Sequence, residues 1–295
     1  MSRWAYVNGR YVPHATARTH VEDRGMQFSD GVYEVIAVVG GALVDATLHF
    51  ERLDRSLSAL EIAAPMRRAP LEAVLREVAR RNRVSEGIVY LQVNRGVAPR
   101  NHAFPRDARP SMVVTARRGQ PASSPALVEG VRVITIPDIR WRRRDIKSVS
   151  LLANVLAKQA AAQDGAFEAW QVDEDGMVTE GSQSNAWMVE ADGAVVTRPP
   201  SHDILTGITR TRLIDLARQD GITVIERAFT PQEAARAREA FLTSTSSFVV
   251  PVVQIDDAVV ANGRPGAVTE RLRALYLDFV ARQAITILHT ALAKA

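Results

Sequence analysis

The sequence predicts an α+β fold in two domains, and three observations carry that prediction. Each half mixes short β-branched runs with helical periods, and neither shows a regular repeat. The stretch Gly119 to Gly130, with Pro121, Ser123, Ser124 and Pro125, has a linker's composition. At 295 residues, the chain suits one large domain or two of ordinary size. Residues 1–120 are therefore expected to form a smaller N-terminal α/β domain, 121–130 an interdomain linker and 131–295 a larger C-terminal domain.

The N-terminal half opens on a hairpin, because Trp4 to Val7 and Tyr11-Val12 flank Asn8-Gly9. Val32 to Val39 is rich in β-branched residues, breaks at Gly40-Gly41 and returns as Ala42 to Val44. Leu53, Leu57 and Leu60 recur at helical spacing after His49-Phe50. Pro70 to Arg81 is a second helix, with Leu71, Val74, Leu75 and Val78 on one face and proline at its start. Ile88 to Val93 and Met112 to Thr115 are strands on either side of the polar segment Asn94 to Pro110.

Beyond the linker, Val131 to Ile136 is a strand and Ser148 to Gln163 a helix closed by Asp164-Gly165. Short strands follow at Glu168 to Val172 and Met177-Val178. Asn185 to Glu190 and Ala194 to Thr197 form a hairpin over Asp192-Gly193. The spacing predicts helices over 209–220, 231–239 and 271–292. The remaining strands are Ile222 to Arg227, Ala240 to Thr243, Val249 to Ile255 and Ala258 to Val260.

Composition removes several classes of function. Hydrophobic residues make up 46% and charged residues 24%, as expected of a soluble globular protein. The chain has no cysteine, so a disulfide framework, a thiolate nucleophile and a cysteine metal site are all excluded. No apolar run approaches the roughly 20 residues of a membrane span, and no signal-peptide pattern opens the chain. A cytoplasmic protein that does not bind membranes is the expectation. The net charge of +4 is modest for this length, and the densest basic cluster, Arg140-Trp141-Arg142-Arg143-Arg144, ends at Asp145. Nucleic acid is not expected as a partner.

Of the 37 basic residues only Lys147, Lys158 and Lys294 are lysines. Arginine does not lose its proton near neutral pH, so amine chemistry falls to one of these three. Lys147, in Asp145-Ile146-Lys147-Ser148, lies between a strand and an apolar helix. Partial desolvation there would free its amine for Schiff-base formation. A helix-start lysine reaching solvent is the simpler alternative.

Four other segments combine suitable chemistry with an ordinary reading. Thr179-Glu180-Gly181-Ser182-Gln183-Ser184-Asn185 offers a carboxylate for a protonated ring nitrogen and donors for an anion, or is a tight loop. Leu205-Thr206-Gly207-Ile208-Thr209-Arg210 is a phosphate seat at a helix start, or a plain N-cap through Thr206 or Thr209. Thr243-Ser244-Thr245-Ser246-Ser247 offers hydroxyls for phosphate, or is a turn; Arg52 would add a planar fork of donors. Arg100 and His102, two apart in a loop after a strand, suit a carboxylate clamp or a basic surface loop. Tyr33 is a possible third donor or a core aromatic. No phosphate-binding GK[ST] loop, HExxH, GxSxG or metal-spaced histidine pair competes, so no metal is expected.

Taken in order, YVNGRYVP, FSDGVYEVI, HFERLDRS, RGVAPRNHAFP, RWRRRDIKSVSLLANVLAKQAA, EGSQSN, ILTGITR and FLTSTSS resemble the fold-type IV pyridoxal-phosphate aminotransferases. That group contains the D-amino acid and branched-chain aminotransferases and aminodeoxychorismate lyase. The resemblance implies a two-domain α+β fold with pyridoxal 5'-phosphate at the domain interface, the 131–295 domain binding most of it. It implies that Lys147 holds the cofactor as an internal aldimine and that Glu180 binds the pyridine nitrogen. Arg52, Ile208 (through its backbone), Thr209 and Thr245 would hold the phosphate. Tyr33, with Arg100 and His102 of the partner subunit, resembles the carboxylate trap of the D-amino acid enzymes, in a homodimer with shared active sites. The activity implied is ping-pong transfer of an amino group from a D-amino acid of the D-alanine type to 2-oxoglutarate or pyruvate. An (R)-selective amine or branched-chain aminotransferase is the alternative, and aminodeoxychorismate lyase a more distant one.

Overall fold

The structure is a computed structural model that describes residues 4–119 and 126–292. The chain clusters into two compact units, Met1–Gln120 with Ile146–Ser150 and Val280–Ala295, and Pro121–Asp145 with Leu151–Phe279. The first five residues of the expected 121–130 linker lie outside the described residues; Ala126–Glu129 is a short helix, here α4. A single crossing does not describe the division, because 146–150 and the chain from Val280 return to the first unit. The reason at 146 is apolar burial, since Ile146 is 5% exposed within the first unit's core.

In the first unit, β1 (Trp4–Val7) and β2 (Arg10–Pro13) form the expected hairpin. Its turn residues Asn8 and Gly9 both have positive φ, 44° and 94°, as a two-residue hairpin turn requires. A five-residue helix, α1 (Arg24–Phe28), follows that no sequence period announces; Asp23 caps it by accepting from the Gly25 N–H. Then come β3 (Gly31–Val39), β4 (Ala42–Leu43), α2 (Ala46–Ala59), α3 (Arg68–Arg81), β5 (Gly87–Asn94) and β6 (Ser111–Arg118). The strands form one antiparallel sheet in the order β2-β1-β6-β5-β3-β4. Val89, Leu91 and Val93 on β5 pack against Leu53, Leu57, Leu71, Leu75 and Val78 of α2 and α3. Each such aliphatic side chain contributes about 1.5–3 kcal/mol on full burial. The other face of the sheet carries Tyr33, Val35, Ile88 and Tyr90, all half-buried.

The second unit is built on a mixed nine-stranded sheet. Its strands are β7 (Val131–Pro137), β8 (Glu168–Val172), β9 (Val178–Gly181), β10 (Asn185–Val189), β11 (Val195–Thr197), β12 (Val224–Glu226), β13 (Glu239–Ser244), β14 (Phe248–Ile255) and β15 (Ala258–Val259). The order is β12-β11-β10-β13-β14-β7-β8-β9, with β15 on β14. Helices α5 (Leu152–Gln163), α6 (Ile208–Gln219), α7 (Pro231–Arg236) and α8 (Ala267–Leu292) complete the chain.

Two elements differ from expectation where function is concerned. The helix expected from Ser148 begins only at Leu152, because residues 147–149 bond to β3 as extended chain. On α5 the small residues Ala157 and Ala161 are the buried ones, while Leu152, Val155 and Leu156 are exposed. The strand expected at Met177-Val178 runs on through Glu180 and Gly181, so the carboxylate sits on β9 and not in a loop.

Candidate active site

Lys147 owes its position to β3. The Tyr33 N–H donates to the Lys147 carbonyl (3.0 Å), the Val149 N–H donates to the Gly31 carbonyl (3.0 Å), and Ser148 bridges Val32. The Lys147 N–H donates to Oγ of the buried Ser56 on α2 (3.2 Å). Alternation along this extended segment turns Ile146 and Ser148 inward and leaves Lys147 half-buried between them. Its Nζ lies 4.3 Å from the centre of the Tyr33 ring. Tyr33 in turn stacks on Tyr90, with ring centres 5.7 Å apart. The structure thus brings Lys147 and Tyr33 together in the first unit.

Arg52, on the buried side of α2, meets the carboxylate of Glu34 from β3 through Nε and Nη2, both at 2.8 Å. His49, one turn earlier, reaches the same carboxylate through Nδ1 at 2.7 Å. Burial works to raise the Glu34 carboxyl, but Arg52 and His49 beside it hold it well below the usual range. Burial also pushes His49 below its ordinary value of 6.5. The planar fork of Arg52 is therefore fixed before any ligand arrives.

In the second unit Glu180 is 4% exposed. Arg140 donates to its Oε1 while also gripping Asp138 through Nε (2.9 Å) and Nη2 (2.7 Å). Oε2 accepts from Asn185 Nδ2 and from the Leu205 N–H, each at 3.0 Å. Burial pushes the Glu180 carboxyl up, with Arg140 opposing it. Such a carboxylate gains from a further cationic neighbour.

Asn185 also donates to the Leu205 carbonyl (2.9 Å) and touches the start of α6 at Gly207. A Cβ on Gly207 would lie 2.2 Å from Asn185 Oδ1, so any side chain there has to displace Asn185. Gly207 is the N-cap of α6 and brings no side chain to it, where the N-cap reading put Thr206 or Thr209. Ile208 and Thr209 are its first two residues, whose N–H groups have no place in the helical ladder. Thr209 Oγ1 lies 3.5 Å from the Tyr276 hydroxyl. Asn185 pairs with Thr243 in register, and the turn Thr245 to Ser247 lies just beyond β13. Glu180, the α6 start and Thr245 thus share one end of the nine-stranded sheet.

The hydroxyls of the 182–184 run, offered as donors for an anion, meet a carboxylate of the chain itself. Ser182 Oγ (3.2 Å), Ser184 Oγ (3.0 Å) and the Gln183 N–H (2.6 Å) all donate to the fully buried carboxylate of Glu168. That contact fixes the loop following Glu180.

A family model for class IV amino-transferases matches residues 31–255. The chain belongs to the class IV aminotransferases. Curated relatives named D-alanine aminotransferase match over nearly the whole chain. The one from Listeria innocua is 40% identical over 278 residues, covering 94% of this chain and 96% of its own length. That from Bacillus licheniformis is 38% identical over 283 residues, covering 95% and 98%. Among solved structures, a T.th. branched-chain amino acid aminotransferase with pyridoxamine 5'-phosphate matches with a TM-score of 0.87 and 28% identity, over 96% of this chain and 95% of that one. The branched-chain aminotransferase of Thermoproteus uzoniensis with norvaline matches at 0.84 and 28%, over 96% of each chain. The two-domain α+β fold read from the sequence is the fold of this class.

In this class IV aminotransferase Arg100 and His102 are exposed and meet over one aromatic ring. The Arg100 guanidinium lies 4.8 Å from the Phe28 centroid, and the His102 ring centre 5.2 Å from it. A chain of contacts among the described residues links them to Tyr33 through α1, Asp23, Asn94, Gln92 and Tyr90. Sequence reasoning missed Arg140 and Asp138 as the setting of Glu180, because Arg140 read as one member of a surface cluster. The signal was present: Asp138 precedes Arg140 by two residues, the spacing of a local ion pair. Arg143 and Arg144 of the same cluster also meet carboxylates, of Asp145 and of Asp138 and Asp203.

Proposed function

We propose that the chain transfers the amino group of a D-amino acid of the D-alanine type to a 2-oxo acid, pyruvate or 2-oxoglutarate, with pyridoxal 5'-phosphate as cofactor. The single observation carrying this is Lys147, held on an extended segment with its amine over Tyr33. The surroundings fit the cofactor: a buried carboxylate pushed up by burial suits a protonated ring nitrogen, and a helix start whose N-cap is a glycine suits a phosphate.

Lys147 is the residue that holds the cofactor. Glu180, backed by Arg140 and Asn185, keeps a proton on the ring nitrogen. The Ile208 and Thr209 backbone, Thr245 and the pre-set Arg52 hold the phosphate. When bound, the cofactor supplies an electron sink for the negative charge left at the substrate's Cα. The Lys147 amine would take the α-proton as base and later return it as acid. Tyr33, Arg100 and His102 fix the substrate carboxylate, and so decide which α-substituent faces Lys147. Two half-reactions on one lysine give ping-pong kinetics.

The active unit in this reading is a cytoplasmic homodimer with Arg100 and His102 reaching the partner's site. Two exposed apolar groups support a second copy: Leu152, Val155 and Leu156 on α5, and Val21, Met26, Val97 and Phe104 around the 100–102 loop. Likeness to branched-chain enzymes keeps L-leucine as the second reading. Assay of D-alanine, L-leucine and (R)-1-phenylethylamine with either acceptor separates them. Turnover of D-alanine well above the others is expected, and inert D-alanine beside a reactive amine would overturn the carboxylate trap.

A further inference from the structure

The exposed pair Arg100 and His102 is held from beneath by a buried charge. Arg24, on α1 and 3% exposed, donates from Nη1 to the Asn101 carbonyl and from Nη2 to the His102 carbonyl (3.3 Å). Its Nε donates to Asp30 Oδ2 at 2.7 Å. Phe28, the ring under both Arg100 and His102, stands four residues on from Arg24 on the same short helix, with the Arg24 guanidinium 4.8 Å from its centroid. One five-residue element therefore supplies both the plate beneath the two side chains and the grip on the backbone of Asn101 and His102.

That element is itself locked. Asp30 also takes Arg95 through Nε (2.7 Å) and Nη2 (3.0 Å), and burial's upward push on the Asp30 carboxyl is outweighed by the two guanidiniums, which hold it below the usual range. Arg95 lies 3.6 Å from the centroid of Phe104 at the loop's far side. Asp23, the cap of α1, accepts from Asn94 Nδ2 (2.7 Å) and from Ser111 Oγ. Asn94 accepts from Gln92 (2.8 Å), which accepts from the Tyr90 hydroxyl (2.8 Å). The ladder ends at the ring stacked on Tyr33.

We propose that Arg24 is a positioning residue that sets the carboxylate clamp of Arg100 and His102. The proposal rests on the reading of those two residues as the carboxylate trap. Backbone bonds tie Gly96 and Ala98 to Arg24 and Glu22, but residues 99–103 beyond them hold no helix or strand, so without the Arg24 guanidinium their side chains would sample more directions. Holding two successive carbonyls on one planar guanidinium removes that freedom before substrate arrives.

The test uses the full-length holoenzyme carrying Arg24→Ala, Arg24→Lys or Arg100→Ala. It reads the inhibition constant of propionate, the KM for D-alanine, the rate at which hydroxylamine bleaches the visible band, and amide hydrogen exchange in the peptide spanning 97–103. Propionate carries the carboxylate and no amine; hydroxylamine attacks the cofactor's aldehyde carbon, as a substrate amine would, and carries no carboxylate. Arg24→Ala is expected to raise the propionate constant and the KM about tenfold, the equivalent of one charged hydrogen bond between clamp and carboxylate. It should speed exchange in 97–103 and leave the hydroxylamine rate unchanged. Arg24→Lys keeps the charge beside Asp30 but reaches one carbonyl at most, so it gives a smaller rise in the same direction. Wild-type propionate binding in Arg24→Lys and Arg24→Ala, or an equal loss with hydroxylamine, overturns the proposal. If Arg100→Ala weakens propionate and the Arg24 variants do not, the clamp stands and the role of Arg24 falls. If Arg100→Ala leaves propionate binding intact, the clamp reading itself fails and takes the proposal with it.

Discussion

Glu180 shows how far a residue's chemistry depends on neighbours that a motif does not contain. Its carboxylate is buried, pushed up by that burial, and held by Arg140, Asn185 and the Leu205 N–H. Glu180→Gln keeps the shape and removes the charge. It should lower kcat roughly 10- to 100-fold, since a hydrogen bond to a charged group contributes about 1.5–3 kcal/mol. Stopped-flow measurement of the first half-reaction checks this, and an unchanged rate would contradict the assignment. His49 gives a pH dependence. Burial holds its folded-state value below 6.5, so as pH falls from 6.5 the unfolded chain takes a proton that the folded chain refuses. Stability should drop there by at most about 1.4 kcal/mol per pH unit, and be insensitive to this group above 6.5. Thermal melts from pH 8 to 5 read the effect, and His49→Gln should flatten the slope. At this scale the motif resemblance supplied candidate residues such as Lys147 and Glu180. It did not supply Arg24, Arg140 or Glu168, because their meaning lies in partners distant in the chain: Asn101 and His102, Glu180, and the 182–184 run.

Elements were legible where an apolar period ran long enough. Helices α2 and α3 follow leucine and valine spacings, and the β1–β2 hairpin follows Asn8-Gly9. Helix α1 was not legible, since five residues cannot show a period and its cap Asp23 is fixed by Asn94 and Ser111 far along the chain. The start of α5 was misplaced for a related reason. Val149, Leu151 and Leu152 look like helix interior, but hydrogen bonds to β3 hold 147–149 extended. On α5 itself, alanines let the helix approach β7 and β8 closely, and the larger side chains are left outside. The start of α6 carries a sharper test. Gly207→Ala would force Asn185 away, disturbing at once the helix start and a donor to Glu180. It should weaken pyridoxal 5'-phosphate binding and lower stability by about 1–3 kcal/mol, the usual cost of overpacking. Equilibrium dialysis and melting of the variant measure both; wild-type cofactor affinity would separate α6 from the phosphate.

At the scale of the molecule, the two units each put part of the proposed chemistry in place: Lys147, Tyr33 and Arg52 in the first, Glu180, Ile208, Thr209 and Thr245 in the second. The two returns of the chain to the first unit were hidden from a linear reading, which sees one composition break near residue 121. The exposed stripe Leu152, Val155 and Leu156 yields an assembly test. Leu156→Arg with Val155→Asp should dissociate the proposed dimer in sedimentation and abolish D-alanine turnover, while a stable active dimer would remove α5 from the interface. The central claim concerns one amine among three lysines. Borohydride reduction of the holoenzyme followed by peptide mass spectrometry fixes the cofactor to whichever lysine holds it. The phosphopyridoxyl mass is expected on the peptide containing Lys147; finding it on Lys158 or Lys294, or on no peptide at all, would contradict the account.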